Sequence, residues 1–387
     1  MKKITKLTAL VAALSLTLVL AACQNPASDE TTKEETKVTQ PAPAPVPKTY
    51  TVTFNTNGGS TVDSQTVTEG NKASRPADPT KQPPQGYTNR FDGWFTSTDN
   101  GTTLSNQVFD FNTTITANLT LYAKWSSIRN EVSGKIGKYG APYEVGDIVF
   151  NDGSATAYTS GLSLNSTQVS SAVAVIFYKG TELNDGNDTS TVRTLGMAIK
   201  HSTTSLSWCS DTANSKDISH ITTLECQPSQ IDDGYQFIDA TKHKRNGSNN
   251  LEKLGEFLGA NDDTTGEGAE SRYPGFYYAK NYGTANNLSG AYATGWYLPS
   301  AAELYKLWVT REATNAARLL CNGDTCGTSE TIYYFSSTPL YSSSEGKCAY
   351  GIRTDAPYVG HWALCGRDKN SNWSGTHFYY ACAIREF

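Results

Sequence analysis

Methionine is nearly missing from this 387-residue chain, with 2 residues, and charged residues reach only 18% and hydrophobic residues only 37%. So thin a supply of apolar and charged side chains excludes a coiled coil and a polytopic membrane protein. No Lys/Arg cluster stands beyond the first few residues and the formal charge is −5, so the basic face that would neutralise phosphates is absent and nucleic acid is not an expected partner. There is no CxxC pair, which removes the usual zinc spacings, and none of the five histidines lies in HExxH. A GxSxG elbow, a Walker loop and GxGxxG are equally absent. What is abundant is aromatic and small: 22 Tyr, 32 Gly and many Ser, Thr and Asn. Such a mixture suits short strands, turns and Tyr-rich loops.

Lys2, Lys3 and Lys6 precede an apolar stretch, Leu7 to Leu20, that is shorter than the ~20 residues a membrane-spanning helix needs. Leu20-Ala21-Ala22-Cys23 closes it with small residues before a cysteine, and the whole resembles a bacterial lipoprotein signal. The resemblance implies removal of residues 1–22, lipidation of Cys23 and attachment to the cell envelope, expected at the outer membrane and surface-exposed. Loss of the three lysines takes the formal charge from −5 to −8. Residues 23–48 then read as a disordered tether, because Asp29, Glu30, Lys33, Glu34 and Glu35 are solvated, Pro41, Pro43, Pro45 and Pro47 favour extended chain, and almost nothing apolar is present to offset ordering entropy.

Seven cysteines remain: Cys209, Cys226, Cys321, Cys326, Cys348, Cys365 and Cys382. In an oxidising compartment Cys209 with Cys226, and Cys321 with Cys326, are candidate local bridges, with Cys348 and Cys382 as further candidates. The odd count leaves one thiol over.

Residues 49–125 read as a small first domain. Tyr50-Thr51-Val52-Thr53-Phe54 alternates as a strand and meets Asn55-Thr56-Asn57-Gly58-Gly59, whose Asn and Gly supply positive φ. Trp94 and Trp125 are expected in the core, since so small a domain needs large side chains there. YTVTFNTNGG, GYTNRFDGWF and LTLYAKW, in that order, resemble the internalin-B-type B-repeat, a β-grasp-like module of bacterial surface proteins, which implies a spacer role.

In residues 126–387 the sequence predicts strands at 145–150, 172–178 (AVAVIFY), 195–199, 333–338, 348–353, 361–365 and 378–385. Helices are expected at 250–258, at about 270–282 with Pro274 in the first turn, and after Ser300, which with Glu303 forms a capping box. GDIVFNDGSATAY, AVAVIFYKGT, YPGFYYAKNYG, GWYLPSAAELYKLW, YYFSST and ACAIREF, in that order, resemble treponemal surface lipoproteins with a C-type-lectin-like fold shared with formylglycine-generating enzymes. Within that group the resemblance extends to variable proteins diversified by retroelements. The fold class expected is therefore α+β, a β-grasp-like repeat followed by a lectin-like ligand-binding domain whose tail, 345–380, is variable.

The tail has a composition of its own. Residues 333–387 hold 7 Tyr, 2 Trp and 3 Phe, double the aromatic share of the whole chain, set among Ser, Gly, Asn, His and Arg. Tyr offers large contact area at low entropic cost and the small polar residues adaptable hydrogen bonds, as in evolved paratopes. Arg353, Asp355, Tyr358, His361, Trp362, Arg367, Trp373, His377 and Tyr379 are the candidate ligand-binding residues, for a protein or glycan. Tyr350, Ile352, Tyr380, Cys382 and Ile384 alternate with smaller or polar neighbours and read as core. Catalysis is not expected and no cofactor or metal is implied; the fold raises an enzyme of the formylglycine-generating type as the rival, with Cys321 and Cys326 as its one close thiol pair. A structural envelope lipoprotein is the third reading. Asn261-Asp262-Asp263, Glu267 and Glu270 offer calcium-type oxygens, but not at EF-hand spacing.

Overall fold

A computed structural model describes residues 46–184, 188–206, 208, 246–260, 272–325, 332–340, 348–353, 364–365 and 378–387, with 257–260, 332–333, 339–340, 348–353, 364–365 and 378–379 described by backbone alone. Residues 46–49 are exposed, and residues 50–387 form one compact unit.

Its first sheet is built from β1 (Thr49–Asn55), β2 (Gln65–Thr68), β3 (Tyr87–Phe95) and β4 (Leu119–Arg129) in the order β2-β1-β4-β3, with β1 and β4 parallel at the centre and β3 antiparallel to β4. Alternation places Val52, Phe54, Leu121 and Ala123 on one buried face. Trp94, 1% exposed, is wedged edge-on between Phe54 at 4.9 Å and Phe91 at 5.5 Å, so it is core as expected. Trp125 is half-buried and packs against the same core, its ring 5.3 Å from Phe91, while its edge has a second use. Its Nε1 donates to Thr56 O at 2.9 Å, and its ring leaves no room for a Cβ at Gly59, closing the turn in which Asn57 (φ 48°) and Gly58 (φ 83°) are left-handed.

The rest of the chain is α+β. β5 (Asp147–Phe150), β6 (Ala155–Ala157), α1 (Ser166–Ser171), β7 (Ala172–Gly180), β8 (Arg193–His201), α2 (Gly247–Ala260), α3 (Pro274–Ala285), β9 (Trp296–Tyr297), α4 (Ala301–Val309), α5 (Arg311–Leu320), β10 (Ile332–Leu340), β11 (Cys348–Arg353), β12 (Leu364–Cys365), β13 (Phe378–Tyr380) and β14 (Cys382–Glu386) follow in order. Six strands make an antiparallel sheet, β6-β5-β7-β8-β14-β9, and four make a smaller one, β12-β11-β10-β13. Residues 172–178 of β7 are apolar because both faces of the strand are covered: Val173 and Ala174 enter one core cluster, Phe177 and Tyr178 a second, Val175 a third.

The sequence reading is adjusted in three places. The expected helix at 270–282 begins, within the described residues, with Pro274 at its first turn. The expected strand 378–385 is two strands in two sheets. Ala381 lies between them, and its N–H donates to Ser202 Oγ at 3.1 Å while its carbonyl accepts from Ser202 N at 2.9 Å, so one residue of β-like pairing carries the chain across. Helices α1 and α5 were not anticipated.

Candidate functional site

Two of the sequence landmarks meet in space. β9 runs into Leu298-Pro299-Ser300, where Ser300 caps α4, and the Ser336-Ser337-Thr338 run of β10 lies against this corner. Ser337 N donates to Pro299 O at 2.7 Å, and Ala301 N, an orphan donor of the first helical turn, donates to Thr338 Oγ1 at 3.0 Å. Asn250 Nδ2 of α2 donates to Ser337 Oγ at 2.8 Å and Trp208 Nε1 to Ser336 O at 2.8 Å. All three hydroxyl residues are at most 2% exposed. Small polar side chains are thus required here: they satisfy main-chain and amide groups that burial would otherwise orphan. The result is that β10, in the interior of the small sheet, is bolted to α2 and α4.

Glu303 is the second fixed point. Its backbone N–H receives the Ser300 cap, and its carboxylate accepts from Ser300 N at 2.8 Å, Gly247 N at 2.9 Å, Arg193 Nη2 at 3.1 Å and Tyr297 OH at 3.2 Å. Arg193, from β8, also donates to Leu183 O at 2.7 Å and pairs with Glu386 of β14 at 3.3 Å. Burial holds the Glu303 carboxyl above its usual range, against the pull of Arg193 and the two backbone donors. One carboxylate therefore joins α4, the start of α2, β8 and β9.

The third element links the two sheets. His201, at the end of β8, packs its ring against Tyr380 of β13 at 4.5 Å and Tyr334 of β10 at 5.7 Å. Its Nδ1 lies 2.7 Å from Ser202 O, which assigns the proton to Nδ1, and its Nε2 lies 3.8 Å from Asp324 Oδ2. Asp324 also accepts from His201 N at 3.0 Å and Lys200 Nζ at 3.2 Å. Burial holds the imidazole below its ordinary value, although the Ser202 carbonyl and Asp324 favour the charged form.

On this support the small sheet sets a row of positions. Tyr333 of β10 is the register partner of Arg353 in β11 on one side and of Tyr379 in β13 on the other. Of the nine candidate binding residues these two are therefore brought together, around a third residue, Tyr333, that the sequence reading did not single out. β11 ends at Arg353 and β13 begins at Phe378, and both of these positions lie at the Ile332–Tyr333 end of β10. Asp355, Tyr358, His361, Trp362, Arg367, Trp373 and His377 lie outside the described residues, as do Cys23, Cys209, Cys226, Cys326 and the acidic loop 261–270. Among residues expected in the core, Cys382 and Ile384 are fully buried and Tyr380 partly so.

The bridge expected between Cys321 and Cys326 is not formed. Cys321 is a free thiol at the C-terminus of α5, with Sγ 3.5 Å from Ala317 O, packed among Ile148, Phe150, Val175 and Ile199, and no disulfide joins any of the described residues. Burial pushes this thiol up to about 12. No group of three or more His, Cys, Asp or Glu able to hold a metal occurs among the described residues. An open groove of about 430 Å³ lies between β7 and α4, but Lys179 and Lys306 on its wall are already paired with Glu144 and Glu182.

Residues 50–124 match the family of the Listeria-Bacteroides repeat domain, a bacterial surface repeat, and coincide with the first sheet and its core. That domain fits a bacterial surface-associated protein. No curated protein matches the chain. No helix among the described residues is long and apolar enough to cross a membrane.

Proposed function

We propose that this is a lipid-anchored surface binding protein, adhesin-like, in which Cys23 holds the membrane, the tether and the repeat extend, and a C-terminal domain of C-type-lectin-like fold presents a ligand-binding face. The observation that carries this reading is the row of register positions Arg353–Tyr333–Tyr379 on a sheet fastened to the rest of the domain through Ser337, Thr338 and His201. Arg and Tyr are the residue types that dominate binding energy at interfaces, and a rigid scaffold with sequence-tolerant segments at one end is how paratopes are built. Asp355, Tyr358, His361, Trp362, Arg367, Trp373 and His377, which follow Arg353 or precede Tyr379 in the sequence, are proposed to complete the face. The ligand is a protein or glycan at the cell surface, and retroelement diversification of 345–380 is part of the same proposal.

An enzyme of the formylglycine-generating type is the weaker reading, because thiol chemistry needs a depressed pKa and Cys321 has the reverse. The deciding experiment exchanges residues 354–363 and 366–377 for those of a second isolate and measures binding to a panel of extracellular proteins and glycans, with thermal unfolding as the control. Changed ligand preference at unchanged stability supports the proposal. Unchanged preference would move the site elsewhere, and binding to nothing would favour a structural envelope role. Anchoring is tested separately: Cys23→Ser should release the protein from the membrane fraction.

A further inference from the structure

β4 does not stop where the repeat family ends, at residue 124, but runs on to Arg129, and there the repeat meets the domain that follows. Arg129 grips Asp147, the first residue of β5, with both ends of its guanidinium, Nη1 at 2.9 Å from Oδ1 and Nη2 at 2.7 Å from Oδ2. Nη2 also donates to Gly140 O at 3.1 Å and Pro142 O at 3.0 Å, and the guanidinium lies 4.5 Å over the Tyr139 ring. The side chains are 12% and 1% exposed, so this fork is shielded from water and salt. Asp147 has a second duty, accepting from Glu144 N at 2.9 Å. Glu144 in turn accepts from Tyr87 OH of β3 and from Lys179 Nζ of β7 at 2.6 Å, so a second chain of bonds runs from the repeat to the middle of the large sheet. Burial raises the Glu144 carboxyl, but Lys179, Tyr87 and Arg129 outweigh it and hold it below its usual range. Contact is close in a third place: a Cβ on Gly86, which has φ +78°, would meet Pro142 Cδ at 2.5 Å.

Two domains joined in series swing independently unless their interface prevents it. We propose that Arg129 is a clamp that makes the repeat and the C-terminal domain turn as one body, so that the repeat is a rigid bracket rather than a hinged spacer. Three features point the same way: a bidentate, shielded ion pair, a second hydrogen-bonded chain through Tyr87 and Glu144, and a glycine whose lack of side chain permits the approach. The proposal is independent of what the small sheet binds.

The test is backbone ¹⁵N relaxation on the full chain, comparing the rotational correlation time reported by the repeat with that reported by β5, β7 and β8. In the unaltered protein the two should coincide. In Arg129→Ala the repeat should report a time at least about two-fold shorter than the rest. Arg129→Lys keeps the charge but not the fork and should fall between them. Separate times in the unaltered protein, or a shared time in Arg129→Ala, would overturn the proposal. If Arg129→Ala does not fold, Tyr87→Phe paired with Glu144→Gln removes the second chain alone. It should increase the interdomain spread of residual dipolar couplings, and no increase would count equally against the clamp.

Discussion

Replacing Glu303 by alanine removes four acceptor contacts at once, and the donors left behind are buried. Ser300 N and Gly247 N lose a side-chain acceptor, Tyr297 OH loses its carboxylate, and Arg193, 5% exposed, keeps Leu183 O, Asn246 Oδ1, Tyr297 OH and Glu386 but loses its one buried counter-charge among the described residues. Removing one member of a buried ion pair costs about 3–5 kcal/mol, and losing the reciprocal half of a capping box adds about 1 kcal/mol. Glu303→Ala should therefore lower the stability of the C-terminal domain by about 4–6 kcal/mol, a large part of the ~5–15 kcal/mol that holds an ordinary domain. Glu303→Gln separates the two contributions. Its amide oxygen can still accept from Ser300 N and Gly247 N, while its amide nitrogen faces Arg193 as a second donor, so the cap is kept and the loss should be about 3–5 kcal/mol, that of the unpaired charge. The assay is urea unfolding followed by tryptophan fluorescence, with Trp296 as the local reporter and the repeat read as its own transition. If glutamine and alanine cost the same, or if both cost under ~1 kcal/mol, the division of labour assigned to this carboxylate is wrong.

Two further outcomes follow from the titrating groups. Cys321, buried and with its thiol raised to about 12, should stay unalkylated by iodoacetamide at pH 8 in the native protein and react on unfolding, as read by peptide mass spectrometry; labelling at native rates typical of exposed thiols would contradict its packing. For His201 the folded pKa lies below the ordinary value of 6.5, so the unfolded chain takes up the proton first. Stability should therefore be intact above about pH 6.5 and fall as the pH drops below it, with Lys200 and Arg318 adding to the penalty and Asp324 offsetting part of it. His201→Gln should flatten that slope, and an unchanged slope would show that other groups govern it.

Some of this molecule could be read from the chain in advance, where the determining interactions are local. Ser300 with Glu303 declares a helix start within four residues, and AVAVIFY can hardly be anything but a strand covered on both sides. What Glu303 does for Arg193, 110 residues earlier, has no local signature. Helix α1 escaped because Ser-Thr-Gln-Val-Ser-Ser has the composition of a turn, although Asn165 and Gln168 form a capping box just as Ser300 and Glu303 do. Helix α5 escaped because only Thr310 separates it from α4, and a single shared cap residue leaves no break in the pattern. In the candidate site, Arg353 and Tyr379 stood out by residue type. Tyr333 did not, because its importance comes from register with two strands that lie 15 or more residues away. The bacterial surface repeat was legible from three motifs in order, and the family match places it over the same residues.

The path of β14 sets a schedule for folding. This strand lies between β8 and β9 in the large sheet, so residues 193–201 and 296–297 have no common neighbour until residues 382–386 arrive. Joining strands so far apart in sequence requires closing long loops before any contact rewards it, which slows folding and leaves edges exposed meanwhile. During synthesis the repeat can form early from its own 75-residue stretch, whereas β8 must wait with an unpaired edge for almost two hundred residues. A chain of this design depends on being kept from pairing with its neighbours until its last strand is delivered.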